Sequence, residues 1–218
     1  MSDRPRRAAA APAAAKPTRP PAGRRKAAAK STAAKGAAGS AKAPSLKIDV
    51  IVENAGWLKA LALADEALAD EASLARRLRS VARRALAAAW ADRWRGSAVG
   101  LDCCLVLSSD ARVRRLNRDY CGKDKPTNVL SFAALDGGRP PRSQPWSLGD
   151  VILALDTCRR EARAQGKSLD RHLAHLVIHG VLHLLGYDHE ADAEAERMEG
   201  LEIAALKRLG IDNPYLTM

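Results

Sequence analysis

Between residues 45 and 53 the chain reads SLKIDVIVE, where apolar and polar positions alternate and β-branched residues recur, the pattern of a half-buried strand. GWLKALALADEAL (56–68) has some helical character but no clean period, and is expected to be a connection. In SLARRLRSVARRALAAAW (73–90) the period changes: Leu74, Leu78, Val81, Leu86 and Trp90 fall at helical spacing, with the arginines on a solvated face. LDCCLVLS (101–108), NVLSFAAL (128–135) and LGDVILAL (148–155) read as strands, the last two joined as an antiparallel pair by the loop DGGRPPRSQPW (136–146). Ser109 is placed to cap a short helix, DARVRRLNRDY. Three further helices, 156–165, 170–185 and 190–209, close the chain. The order β-α-β-α-β-β-α-α-α predicts an α+β fold: a single domain with a small four-stranded mixed sheet packed against about five helices, spanning 46–218.

Composition changes the picture at one end only. The formal net charge is +11, but residues 1–45 hold eleven of the 36 Lys and Arg residues and one of the 25 acids, Asp3. The basicity therefore belongs to an Ala/Pro/Lys/Arg-rich tail with no large apolar side chain after Met1, which is expected to be disordered and able to hold RNA phosphates non-specifically. No secretory or membrane-spanning run is visible, which predicts a cytoplasmic protein. Cys103, Cys104, Cys121 and Cys158 form no CxxC pattern and read as reduced thiols, with Cys103 and Cys104 on opposite faces of one strand.

The candidate chemistry lies in HGVLHLLGYDH (179–189), which holds three of the chain's five histidines. His179 and His183 stack on one helical face, about 6 Å apart along the axis. Gly186 can end the helix in a left-handed turn, which lets His189 return to the same ion. This is the three-histidine zinc spacing of the metzincin peptidases, HExxHxxGxxH. Three neutral imidazoles suit Zn²⁺ and leave a fourth position for water, whose pKa the metal lowers to roughly 7. In those peptidases a glutamate base follows the first histidine; here that residue is Gly180. A metal cage without that base points to another substrate, with phosphodiesters the natural class. His172 and His175, on the same helix, are expected to be surface residues or to support the ligands, His175 more so.

LNRDYCGKDKPTNVLSF (116–132), LGDV (148–151) and HGVLHLLGYDH together resemble the YbeY family of bacterial endoribonucleases, in order and spacing across 46–218. The resemblance implies one zinc ion bound by His179, His183 and His189. It implies single-strand-directed cleavage in the maturation of the 3′ end of small-subunit (16S) rRNA and in ribosome quality control. Its implied partners are rRNA, the small ribosomal subunit, ribosomal proteins and an assembly GTPase. Where the family reads Tyr-Arg-Gly-Lys-Asp, this chain has Tyr120-Cys121-Gly122-Lys123-Asp124. An arginine there can neutralise transition-state charge and Cys121 cannot, so Lys123 or Arg118 is left to substitute. Alternatively, the Cys121 thiolate closes the metal site as a fourth ligand.

Asp150 is a candidate acid/base or water-orienting group, or else a strand-end cap. Asp188 is a candidate support for His189 or a turn residue. Thr127, Asn128 and Ser131 either meet RNA or form the turn into a strand, and Met198 is expected beneath the metal site. The rival to an enzyme is a non-catalytic ribosome-assembly factor that binds RNA and keeps a structural zinc.

Overall fold

The computed structural model describes residues 45–92, 100–134 and 145–216. The basic tail, except for Ser45, and most of the 136–146 loop lie outside the described residues. Strand β1 (Ser45–Val52) leads into α1 (Gly56–Ala62), a 3-10 turn (Glu66–Leu68) and the long α2 (Glu71–Asp92). Strand β2 (Gly100–Ser108), α3 (Asp110–Cys121), β3 (Val129–Ala133) and β4 (Trp146–Ala154) follow, and then α4 (Leu155–Ala164), α5 (Leu169–Leu184) and α6 (Asp192–Lys207). The α+β class and the four-stranded mixed sheet stand as read from the sequence. The sheet order is β1-β2-β4-β3, with β1, β2 and β4 parallel and β3 antiparallel on β4 at one edge.

The stretch expected to be a mere connection, 56–68, is more ordered than its period suggests. Trp57 and Leu61 of α1 are fully buried, and the Trp57 indole donates to the Ser108 carbonyl at the end of β2. One buried anchor with a satisfied N–H fixes a short helix that propensity alone would leave marginal. Six α-helices are therefore present among the described residues.

The sheet has two covered faces. On one, a large core joins β-strand residues such as Ile48, Cys103, Leu105, Val151 and Leu153 to apolar side chains of α2, α5 and α6. On the other, a smaller cluster of Val106, Leu130, Ile152 and Ala154 is closed by Val113 of α3, with Cys104, Leu116, Cys121 and Phe132 packed at its rim. Cys103 and Cys104 do point to opposite faces, as strand alternation requires. The α2 residues expected on the apolar face, Leu74, Leu78, Val81, Leu86 and Trp90, are all buried.

Helix α5 carries four of the five histidines and is buried almost all round. Its position is set by Gly180. A Cβ there would lie 2.6 Å from Val151 Cγ1, 3.1 Å from Val151 Cγ2 and 3.2 Å from Ser131 Oγ, and the Gly180 carbonyl accepts from the Ser131 hydroxyl. The helix therefore lies directly on β3 and β4 at that residue, and only glycine allows so close an approach.

Candidate metal centre

Ser168 caps the start of α5 by accepting from the Arg171 N–H. Four-residue spacing then sets His179 above His183 on one face. At the other end Gly186 takes φ 80°, and the Tyr187 N–H bonds back to the Leu182 carbonyl while the Gly186 N–H bonds to that of His183. This left-handed stop reverses the chain and returns His189 to the helix. Asp188 serves that turn, its carboxylate accepting from the His189 backbone N–H.

The three rings converge. Centroids lie 4.5 Å apart for His179 and His183, 4.9 Å for His183 and His189, and 5.4 Å for His179 and His189. One ring nitrogen of each lies within 4.8 Å of the others. His183 Nδ1 faces the Tyr187 carbonyl oxygen at 3.0 Å, and His179 Nδ1 faces Glu202 Oε1 at 2.8 Å. Each partner only accepts, so each Nδ1 carries the proton, and in the neutral ring each Nε2 then holds a lone pair. Those two Nε2 atoms are 3.1 Å apart. Neutral rings so arranged aim two lone pairs at each other, which a cation between them relieves. Tetrahedral bonds of about 2.0–2.1 Å would set two such nitrogens roughly 3.3–3.4 Å apart. The His179–His183 pair thus fits a metal ion with little adjustment, and His189 brings a third nitrogen within 4.8 Å of them. His183 is buried, while His179 and His189 are half-buried, so the cluster is open on one side.

Glu202 on α6 joins the histidine cluster, a residue that sequence reading missed. It is 1% exposed, and its carboxylate takes His179 on Oε1 and His175 on Oε2 at 2.7 Å. Burial pushes its carboxyl up, but the His175 and His179 hydrogen bonds outweigh this and hold it well below the ordinary carboxylate range. Its signal in the sequence was faint: one of several acids in DAEAERMEGLE, distinguished only by falling four residues after Met198, on the buried side of the helix. Met198 is itself buried.

His172 and His175 are not on the surface. His172 is 1% exposed and bonds Glu161, which also receives the Asn128 amide; His175 bonds Glu202. Asn128 and Ser131 turn inward, Asn128 to Glu161 and Ser131 to the Gly180 carbonyl.

The remaining candidates are not part of the histidine group. Val151 faces α5, so its neighbour Asp150 points to the opposite face of the sheet, in register with Phe132 and Cys104. Solvent reaches Asp150, yet the desolvation that remains raises its carboxyl above the ordinary value. Cys121 ends α3 and packs half-buried at the rim of the smaller cluster. It is absent from the group of side chains that can share an ion, and burial raises its thiol pKa despite the opposing charge of Lys123. The closed, four-ligand site is therefore not assembled. Lys123 is exposed in the loop after α3, while Arg118 pairs with Asp119.

A family model described as Endoribonuclease YbeY matches residues 66–210. The chain is 47% identical over 170 residues to Endoribonuclease YbeY of Azorhizobium caulinodans, a match covering 78% of this chain and 96% of that protein. It is 58% identical over 117 residues to the protein of the same name from Paramagnetospirillum magneticum, covering 53% and 71%.

Proposed function

The chain belongs to the Endoribonuclease YbeY family, a family of RNA-cleaving hydrolases, and from that premise we propose that it is a zinc-dependent endoribonuclease acting on single-stranded rRNA. The observation that carries the reading is the three-histidine cluster with the Nδ1 atoms of His179 and His183 pinned and one side open. His179, His183 and His189 hold the ion, and a nitrogen-only set of this size suits zinc. Bound there, zinc supplies Lewis-acid stabilisation of phosphoryl charge and acidifies water. Glu202 and the Tyr187 carbonyl keep two of the rings in the ligating tautomer. Gly180 offers no side-chain base, which favours a phosphodiester over a peptide. Two ligands that keep partial solvent access favour catalysis over a structural zinc, since structural sites are closed.

The finer reading rests on the family resemblance: maturation of the 16S rRNA 3′ end and ribosome quality control, in the cytoplasm, with ribosomal proteins and an assembly GTPase as partners. Among the described residues no helix is long and apolar enough to cross a membrane. Lys123 is proposed to approach phosphate from its exposed loop, and the basic tail to add non-specific affinity for RNA.

The test is cleavage of a single-stranded RNA oligonucleotide by metal-stripped protein before and after one equivalent of zinc. Cleavage should appear only after zinc is restored. Equal cleavage by the stripped protein, or none by the fully loaded protein, would remove the reading.

A second measurement addresses the loop. Cys121→Arg should raise kcat by about tenfold with little change in KM, because an added cation there acts on charge that grows in the transition state. Zinc content should not change, since the thiol is not a ligand. An unchanged kcat would place position 121 outside the chemistry.

A further inference from the structure

Beyond the three ligands, the Glu202 carboxylate has a third partner. The Tyr215 hydroxyl donates to Glu202 Oε2 and lies 3.4 Å from His175 Nε2, with the two rings edge to face at 5.6 Å. Tyr215 belongs to the C-terminal segment and lies past residue 210, where the family match ends.

That segment is fastened to α5 and its approach. Arg171 pairs with Asp212 at 3.3 Å, Lys167 Nζ donates to the Pro214 carbonyl at 3.0 Å, and the Asn213 side chain accepts from the Tyr215 N–H at 2.9 Å. The Ile211 N–H bonds back to the Leu206 carbonyl at the end of α6. Tyr215 is thus delivered to the carboxylate from a third direction, while His175 and His179 come from α5 and Glu202 itself from α6.

We propose that Tyr215 is a positioning residue of the metal centre: with His175 it fixes Glu202, and through Glu202 it fixes His179. A carboxylate bonded to His179 alone could swing about its side-chain torsions and carry the ring with it. Oε2 is held by donors from two other elements, so Oε1 stays where His179 Nδ1–H needs it, and His179 Nε2 stays aimed at His183 Nε2. A ligand held in its productive orientation before the ion arrives binds it more tightly than one that must be ordered on binding. The inference rests on the reading of the three histidines as a metal site.

The experiment is a double-mutant cycle read as zinc affinity, measured by competition with a chromogenic chelator on full-length protein: wild type, Tyr215→Phe, Glu202→Gln and the double variant. Tyr215→Phe removes only the hydroxyl, and Glu202→Gln keeps the volume and one acceptor for His179, so both are expected to fold. Tyr215→Phe should weaken zinc binding by about tenfold, and Glu202→Gln by about ten- to a hundredfold, in line with supporting residues at metal sites. In the Glu202→Gln background, Tyr215→Phe should cause little further loss, because its effect passes through the carboxylate. Thermal unfolding of the metal-free proteins is the companion readout. A tyrosine that merely anchors the C-terminal segment would lower the unfolding temperature of the metal-free protein and leave zinc affinity unchanged, which would overturn the proposal. Equal losses in the two backgrounds would overturn it as well. Wild-type protein with no zinc affinity would instead bring down the metal reading itself, and this inference with it.

Discussion

Replacing His183 by alanine is expected to empty the metal centre at ordinary zinc concentrations and to reduce RNA cleavage to background. His183 is the buried member of the cluster, its Nδ1 held by the Tyr187 carbonyl and its Nε2 3.1 Å from that of His179. Zinc sites made by small domains are worth about 10–16 kcal/mol in apparent free energy, so one of three protein ligands carries on the order of 3–5 kcal/mol, a loss of roughly two to three and a half decades in affinity. The alanine also leaves a gap at a buried position, so part of the loss will appear as lower stability; zinc content and unfolding temperature must be measured together. His172→Gln is the matched control. His172 is equally buried on the same helix, but it answers to Glu161 on α4 and is not in the ligand group. It should keep its zinc even if it unfolds earlier. Full zinc retention by His183→Ala, or equal zinc loss in both variants, would show that the cluster is not the metal site.

The contrast between those two histidines marks what the sequence could and could not reveal. Spacing alone set the three clustered histidines apart from their neighbours: the four-residue step from His179 to His183 and a glycine stop before His189 are local facts, and local geometry decides them. The strands were legible for the same reason, since alternation in 45–53 and the loop-joined pair 128–135 and 148–155 need only neighbouring residues. Burial of His172 and His175 was harder to read, because it depends on what covers each face of α5. The clue was present in LAHLVIHGVLHLL, whose apolar residues run round the whole helix and so predict enclosure on every side. Glu202 was out of reach for a different reason. Its role depends on α6 lying across α5, a tertiary fact, and in an acid-rich helix only its four-residue step from Met198 sets apart the carboxylate that turns inward. The face of Asp150 likewise follows from which neighbour touches α5, and that is set by Gly180 and Val151 rather than by the strand pattern.

Gly180→Glu, the substitution that would write the peptidase motif into this chain, is expected to give no folded protein rather than a new peptidase. Two tendencies compete at this position. Helix propensity alone says that alanine in mid-helix should be better than glycine by about 1 kcal/mol. Packing says the reverse: a Cβ would sit 2.6 Å from a Val151 methyl carbon, and valine, branched at Cβ and wedged in the sheet, cannot swing aside as a long side chain could. Overpacking of this kind costs about 1–3 kcal/mol, so even Gly180→Ala should be net destabilising, with the helix pushed off β3 and β4 and the Ser131 bond to the Gly180 carbonyl lengthened or lost. Glutamate adds a carboxylate forced between helix and sheet against the Val151 methyls, a further penalty of several kcal/mol. Against a typical domain stability of about 5–15 kcal/mol, that sum is enough to unfold the chain or leave it marginal. The decisive comparison is the unfolding free energy of Gly180→Ala against wild type. A more stable alanine variant would mean that propensity wins and that α5 has room to spare. A less stable one assigns the missing glutamate to helix-on-sheet packing, so that in this fold the position after the first histidine belongs to the core, and the proposed hydrolysis must draw its base from elsewhere.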